Sequence, residues 1–364
     1  MIERDLEPKI LAALERFPCV ALLGARQVGK TTLARRVAAA KPGRAKRGSC
    51  ASKERTTWSK TAMSSTSAST SDPPALRRLA SGDEPALEAY LCRYADSSMF
   101  LRSNLRAAGL SYEGKPYQAV YAASFKNGEI QGVAAHCWND IVLVQAAESP
   151  GLLAAECVRE SGRMVDGISG PWWQVLEARA ALGLARTPAL AEGRDYLYGL
   201  DLGKLRIPAA LGQAECRRPL PTELELLVNW RLSYLFATHR RRRSKEVRSE
   251  CAEEIRRFQA EGAQWVLDVG GQIVAYAAFP GRIPGMVQVG GVWTPPAHRQ
   301  KGYAKAVVAG ALQHARDHEE ARRAVLFTSE TNVPAQSAYE ALGFEMVGEY
   351  CLTLFAEPQK AAAG

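Results

Sequence analysis

One arrangement of strands occurs twice in this chain, and it sets the fold. Gln118–Phe125, a Lys-Asn-Gly turn and Ile130–Cys137 read as a β-hairpin. Trp265–Val269, a Gly-Gly turn and Ile273–Phe279 read as a second. Each hairpin is followed by a further strand, Ile141–Gln145 and Met286–Val292. Each is preceded by helical sequence, Pro85–Ala108 and Pro221–Gly262. The same order about 140 residues apart predicts a duplication of whole domains. The predicted boundaries are 75–205 and 220–357, joined through 205–222 with Pro208, Pro219 and Pro221. The expected class is α+β, a mixed sheet flanked by helices in each domain.

The 364 residues suit two or three domains, and an apolar content of 47% is that of a globular protein. The net charge of +9 would suggest nucleic acid if it were spread over the chain. It is not: residues 1–74 hold 14 Lys/Arg against 6 Asp/Glu, and the rest hold 33 against 32. No nucleic-acid partner is expected for the main body. No run of about 18 apolar residues and no secretory h-region is present, so no membrane partner is expected either. The 8 cysteines are scattered without a C-x-x-C pair, which points to free thiols and a cytoplasmic location. No metal is expected: His314 and His318 stand four apart, but on a helix of charged surface character.

Residues 1–40 hold Gly24-x-x-x-x-Gly29-Lys30-Thr31 between a short apolar strand and a helix, a complete P-loop pattern. The surrounding stretch resembles the start of a bacterial family of AAA-type ATPases. It then runs into residues 41–74, where 13 of the 23 positions from Ser49 to Ser71 are Ser or Thr. That composition predicts a disordered linker. No apolar strand ending in an acid follows to hold magnesium, so 1–40 is read as a fragment, with a P-loop ATPase as an alternative function.

The richest chemistry lies near the C-terminus. Strand Met286–Thr294 runs through Pro295-Pro296 into Arg299-x-x-Gly302-x-Ala304; a helix, a strand, Asn332-x-x-Ala335-x-x-x-Tyr339 and Leu342-Gly343-Phe344 follow. On these three motifs, in this order, the chain resembles the GNAT superfamily of N-acetyltransferases. The resemblance implies acetyl-CoA as co-substrate and transfer of its acetyl group to a primary amine of a small molecule or peptide. It implies that Val292, Trp293 and Thr294 line the pantetheine arm, and that Arg299, Gln300, Lys301, Gly302, Tyr303, Ala304 and Asn332 belong to the cofactor site. Val292 then serves as the oxyanion donor and Tyr339 as the acid that protonates the leaving thiolate. A glycine turn at a helix N-terminus suits the pyrophosphate, because unpaired N–H groups and the helix dipole favour anions there.

Alternatives stay open. Tyr339 could simply pack on the sheet, and Asn332 could simply cap a helix. Met286–Thr294 contains no acid to serve as base; Glu330 follows the next strand, Gln288 could order a water, and deprotonation through water is as good a reading. A non-catalytic acyl-CoA-binding module is therefore the rival function. The first half has the sheet pattern without the cofactor loop, since Arg159–Met164 imitates the motif in the wrong order. The whole of 75–357 is similar to a group of predicted bacterial acetyltransferases: tandem GNAT-like domains, the first degenerate, here behind a disordered basic extension. A monomer or homodimer is expected.

Overall fold

The computed structural model describes residues 75–239 and 244–361. The P-loop-like pattern at 24–31, the Ser/Thr-rich stretch and the Arg240–Arg243 run lie outside the described residues.

Both hairpins form as the sequence predicts. Strands β1 (Ala75–Arg78), β2 (Ala119–Lys126) and β3 (Glu129–Cys137) are antiparallel neighbours. Asn127 and Gly128 close β2–β3 with φ of 54° and 81°, the paired left-handed conformation that a two-residue hairpin turn needs. Gly270 and Gly271 do the same, at 62° and 83°, between β9 (Gln264–Val269) and β10 (Gln272–Ile283). The third strands are β4 (Ile141–Ala146) and β11 (Met286–Trp293). Each then leads through a helix, α3 (Pro150–Ser161) or α7 (Tyr303–His318), to a parallel strand, β5 (Val165–Pro171) or β12 (Arg323–Ser329).

The remaining helices are α1 (Glu84–Cys92), α2 (Met99–Ala108), α4 (Trp172–Ala181), α5 (Leu224–His239), α6 (Lys245–Ala260) and α8 (Val333–Ala341). Ser244 caps α6, accepting the Val247 N–H at 3.2 Å. Trp172 packs on the core of the first half, while Trp173 is 47% exposed.

The two halves trade their last strands. Three strands complete the set: β7 (Asp195–Asp201), β8 (Glu215–Arg217) and β13 (Glu345–Gln359), with the short β6 (Ala189–Ala191) pairing β13 off the main path. Across the sheet the order is β1-β2-β3-β4-β5-β13-β7-β12-β11-β10-β9-β8. Strand β13, late in the chain, therefore extends the first half, pairing β5 from Tyr350 to Gln359. Strand β7, early in the chain, extends the second half, pairing β12 over its whole length. The cores follow the strands. Tyr198, Leu200 and Leu202 are buried with α7 and β12, and Cys351 and Phe355 are buried with α3 and β5.

This exchange has a measurable consequence. Leu200 is 1% exposed within the second half's core, although the chain reaches it before that half begins. Leu200→Ala is expected to cost about 2–5 kcal/mol. Both halves should lose it in one transition when denaturant unfolding is followed by fluorescence and by circular dichroism. Separate transitions for the two probes would show that the exchange does not couple the halves.

Candidate active site

The parallel pair β11–β12 holds together for only three residues. Met286, Val287 and Gln288 sit opposite Arg323, Ala324 and Val325, and beyond them the strands part. On the other side of β11, Tyr276 faces Trp293 while Ala278 faces Gly290. Two steps along β10 thus meet three along β11, a β-bulge, and Gly291 within it has φ 62°. A bulge leaves one residue out of the ladder and bends its strand. Val292, Trp293 and Thr294 follow at half-buried positions along the open edge.

Thr294 begins a nine-residue loop that ends at Gly302, the N-cap of α7. Pro295 and Pro296 have no N–H to continue the ladder. Arg299 folds back: its Nε donates to the Thr294 carbonyl at 3.1 Å, and its guanidinium lies 5.2 Å from the Trp293 ring centre. Gln300 takes φ 63° and Gly302 φ 80°. No side chain caps the first turn of α7, and a Cβ on Gly302 would meet only Ala210, at 3.5 Å, among the described residues. Arg299 and Lys301 are exposed on the loop, with Lys305 half-buried at the helix start. The loop thus brings together a helix start with no side-chain cap, a favourable helix dipole and three cations, which suits a phosphate-bearing ligand. Thr294 Oγ1 is buried with no hydrogen-bond partner among the described residues, so it retains bonding capacity at the mouth of the splay.

Helix α8 brings the other expected residues. Asn332 caps it, its Oδ1 accepting the Ala335 N–H at 3.3 Å. The side chain is exposed, so capping is the role its geometry shows. Tyr339 packs edge-on against Phe344, centres 5.9 Å apart, on the core beneath α7. Burial raises its phenol pKa above the ordinary value, with Tyr234 adding to the effect, so the hydroxyl keeps its proton. Tyr234, on α5, stands edge-on to Trp293 at 6.3 Å. Trp293, Tyr234 and Tyr339 thus converge on the gap between β11 and β12. Tyr234 was not singled out by sequence, because on a helix with apolar residues all round it is one more packing position.

The equivalent gap in the first half is filled. β4 and β5 also pair for three residues, Ile141–Leu143 with Gly167–Ser169. There, however, Tyr90 Oη donates to the Gln145 carbonyl at 2.9 Å, and the Ala146 N–H donates to Gln174 Oε1 at 2.8 Å. The opposing strand also comes close, since a Cβ on Gly170 would lie 2.5 Å from the Val144 carbonyl oxygen. Only three residues join β4 to α3, against nine between β11 and α7. The Arg159–Met164 stretch stands at the far end of α3, where Gly162, φ 66°, is its C-cap. Gln174→Ala should cost roughly 1–3 kcal/mol, because it strips a buried N–H of its acceptor. Acetyl-CoA affinity, by calorimetry, should be unchanged; weakened binding would place a ligand in the wrong half.

Among the described residues no group of His, Cys, Asp or Glu is arranged to hold a metal. None of their helices is long and apolar enough to cross a membrane.

The fold is a mixed sheet flanked by helices, with a parallel pair that splays beside a glycine-capped helix. The model of the acetyltransferase (GNAT) family matches residues 224–344, so this segment carries a domain of that family's type. No curated protein matches the chain in sequence. Among solved structures, a Drosophila protein of 11% identity aligns over 78% of this chain and 99% of its own, with a TM-score of 0.53. A GCN5-related N-acetyltransferase from Sphaerobacter thermophilus aligns over 78% and 95%, at 16% identity and TM-score 0.48. A tandem GNAT protein from the clavulanic acid biosynthesis pathway aligns over 77% and 98%, at 15% identity and TM-score 0.44. In general terms the family match over residues 224–344 supports an acyl-CoA-dependent acetyltransferase.

Proposed function

We propose that the second half transfers an acetyl group from acetyl-CoA to a primary amine of a small molecule or peptide. The observation that carries this reading is the splay of β11 from β12 beside the Gly302-capped helix, with Thr294 Oγ1 left unpartnered at its mouth. The first half, with its gap closed by Tyr90 and Gln174, binds no cofactor and supports the second through β7.

In this reading the loop from Arg299 to Ala304 holds the pyrophosphate, with Arg299 and Lys301 countering its charge. Val292, Trp293 and Thr294 offer backbone groups to the pantetheine arm as though to an added strand. The bulge at Gly291 frees the Val292 N–H to meet the oxyanion that forms at the acetyl carbonyl. Tyr339, held protonated by burial, gives its proton to the departing thiolate. Asn332 orders the start of α8, which carries Tyr339.

The test is release of free CoA thiol from acetyl-CoA over a panel of amino acids, polyamines and aminoglycosides, together with acetyl-CoA calorimetry. Micromolar binding with turnover of at least one amine is expected. Binding without turnover would favour a non-catalytic acyl-CoA module, and absence of binding would remove the reading altogether.

A further inference from the structure

Strand β11 carries no acid, yet a half-buried carboxyl stands beside its open end. Asp195 is the first residue of the exchanged strand β7, opposite Ser329 of β12 and Tyr350 of β13. Ser329 lies beyond the last β11–β12 pair, Gln288 with Val325, so Asp195 sits level with the splay. Alternation along β7 puts Asp195 on the face of Leu197, which meets Gln288, Phe327 and Met99 in a small cavity. That is the face α5 covers: Gly290, two residues on from Gln288, lines the next cavity with Arg231 and Tyr276. Tyr234 of α5 is close enough to Asp195 for their charges to interact, and Tyr339 approaches Tyr234 in turn. Asp195 and Tyr339 therefore flank the same gap from opposite faces.

The carboxyl of Asp195 is free to act. No hydrogen bond to it forms among the described residues, and burial, reinforced by the Glu330 charge, raises its pKa to about 7. Glu330 is by contrast held by Arg194 at 2.8 Å, and Arg194 also binds Glu349 at 3.0 Å. The other titratable groups around Asp195 are Tyr196, Tyr234, Tyr350 and Cys351.

We propose that Asp195, delivered by the first half's last strand, is the general base of the second half's acyl transfer. The inference rests on the transferase reading above. The acceptor ammonium gives one proton to the Asp195 carboxylate, and the freed lone pair forms the C–N bond at the thioester carbon. Collapse of the oxyanion breaks the C–S bond. The nitrogen loses a second proton, which replaces the one Tyr339 has given to sulfur, and Asp195 returns its proton to solvent. The products are one amide, one CoA thiol and one proton.

Two probe amines separate this role from others. Spermidine is an ammonium at pH 7 and needs a base; hydroxylamine is already neutral and does not. With saturating acetyl-CoA, Asp195→Asn should lose roughly 10²–10⁴-fold in kcat with spermidine and less than about tenfold with hydroxylamine. The wild-type rise of kcat/KM through pH 7 should vanish in Asp195→Asn, and Asp195→Glu should restore part of it. Because the folded pKa lies above the unfolded one, the carboxyl costs stability as pH rises from about 4 to 7. Asp195→Asn should therefore melt no lower than wild type at pH 8. Equal losses with both amines, an unchanged pH profile or a lower melting temperature at pH 8 would overturn the assignment. A wild-type chain that binds acetyl-CoA but turns over neither probe and no other amine of the panel would overturn the transferase reading, and the base with it.

Discussion

Gly302→Glu is expected to abolish measurable acetyl-CoA binding. Gly302 caps α7 at φ 80°, where a Cβ would come no closer than ordinary contact with Ala210, at 3.5 Å. A residue with a Cβ pays roughly 1–2 kcal/mol in that conformation. The larger effect is electrostatic. A carboxylate would stand where the pyrophosphate is proposed to sit, and like charges in contact cost several kcal/mol, or about two to three orders of magnitude in Kd. The fold should survive, because an acidic group at a helix N-terminus is favourable to the helix. Gly302→Ala is the control, with the strain and without the charge. It should weaken binding by about tenfold and lower the melting temperature by a few degrees. Calorimetry with acetyl-CoA checks both variants, and near-native affinity in Gly302→Glu would move the cofactor away from this loop.

Tyr339→Phe should leave acetyl-CoA affinity nearly unchanged and lower kcat by roughly 10²–10⁴-fold where chemistry limits turnover. The ring still meets Phe344, since only a hydroxyl is removed, and stability should hardly shift. If Tyr339 only packs, the pattern inverts. Phe is then tolerated, and Tyr339→Ala does the harm through a cavity. Steady-state kinetics of the Phe variant with an accepted amine decides the matter.

The motifs and hairpins were legible because each is a local pattern. Asn127-Gly128 and Gly270-Gly271 mark their turns in two residues, and Arg299-x-x-Gly302 marks the start of α7 in four. The exchange of β7 and β13 was not legible, because alternation shows that a stretch is a strand but not which strand it will pair with. Strand β13 is a further difficulty: Glu345–Tyr350 pairs β7 and Tyr350–Gln359 pairs β5, so one run of sequence serves both halves. Asp195 shares this fate. It is a lone acid at the head of a strand, and only the sheet order carries it to β12. Glu330, two residues before Asn332, is tied to Arg194 instead. The closed gap of the first half shows the same limit. The lack of a cofactor loop was readable, whereas Tyr90 and Gln174, 55 and 28 residues from the groups they bond, were not.

Amide hydrogen exchange with and without acetyl-CoA tests the assignment of the site most directly. Protection is expected at the end of β11 and along the loop into α7, from Val292 to Ala304. The corresponding stretch of the first half, Val144 to Leu153, should be unchanged. Protection in the first half, or none from Val292 to Ala304 at saturating acetyl-CoA, would contradict it.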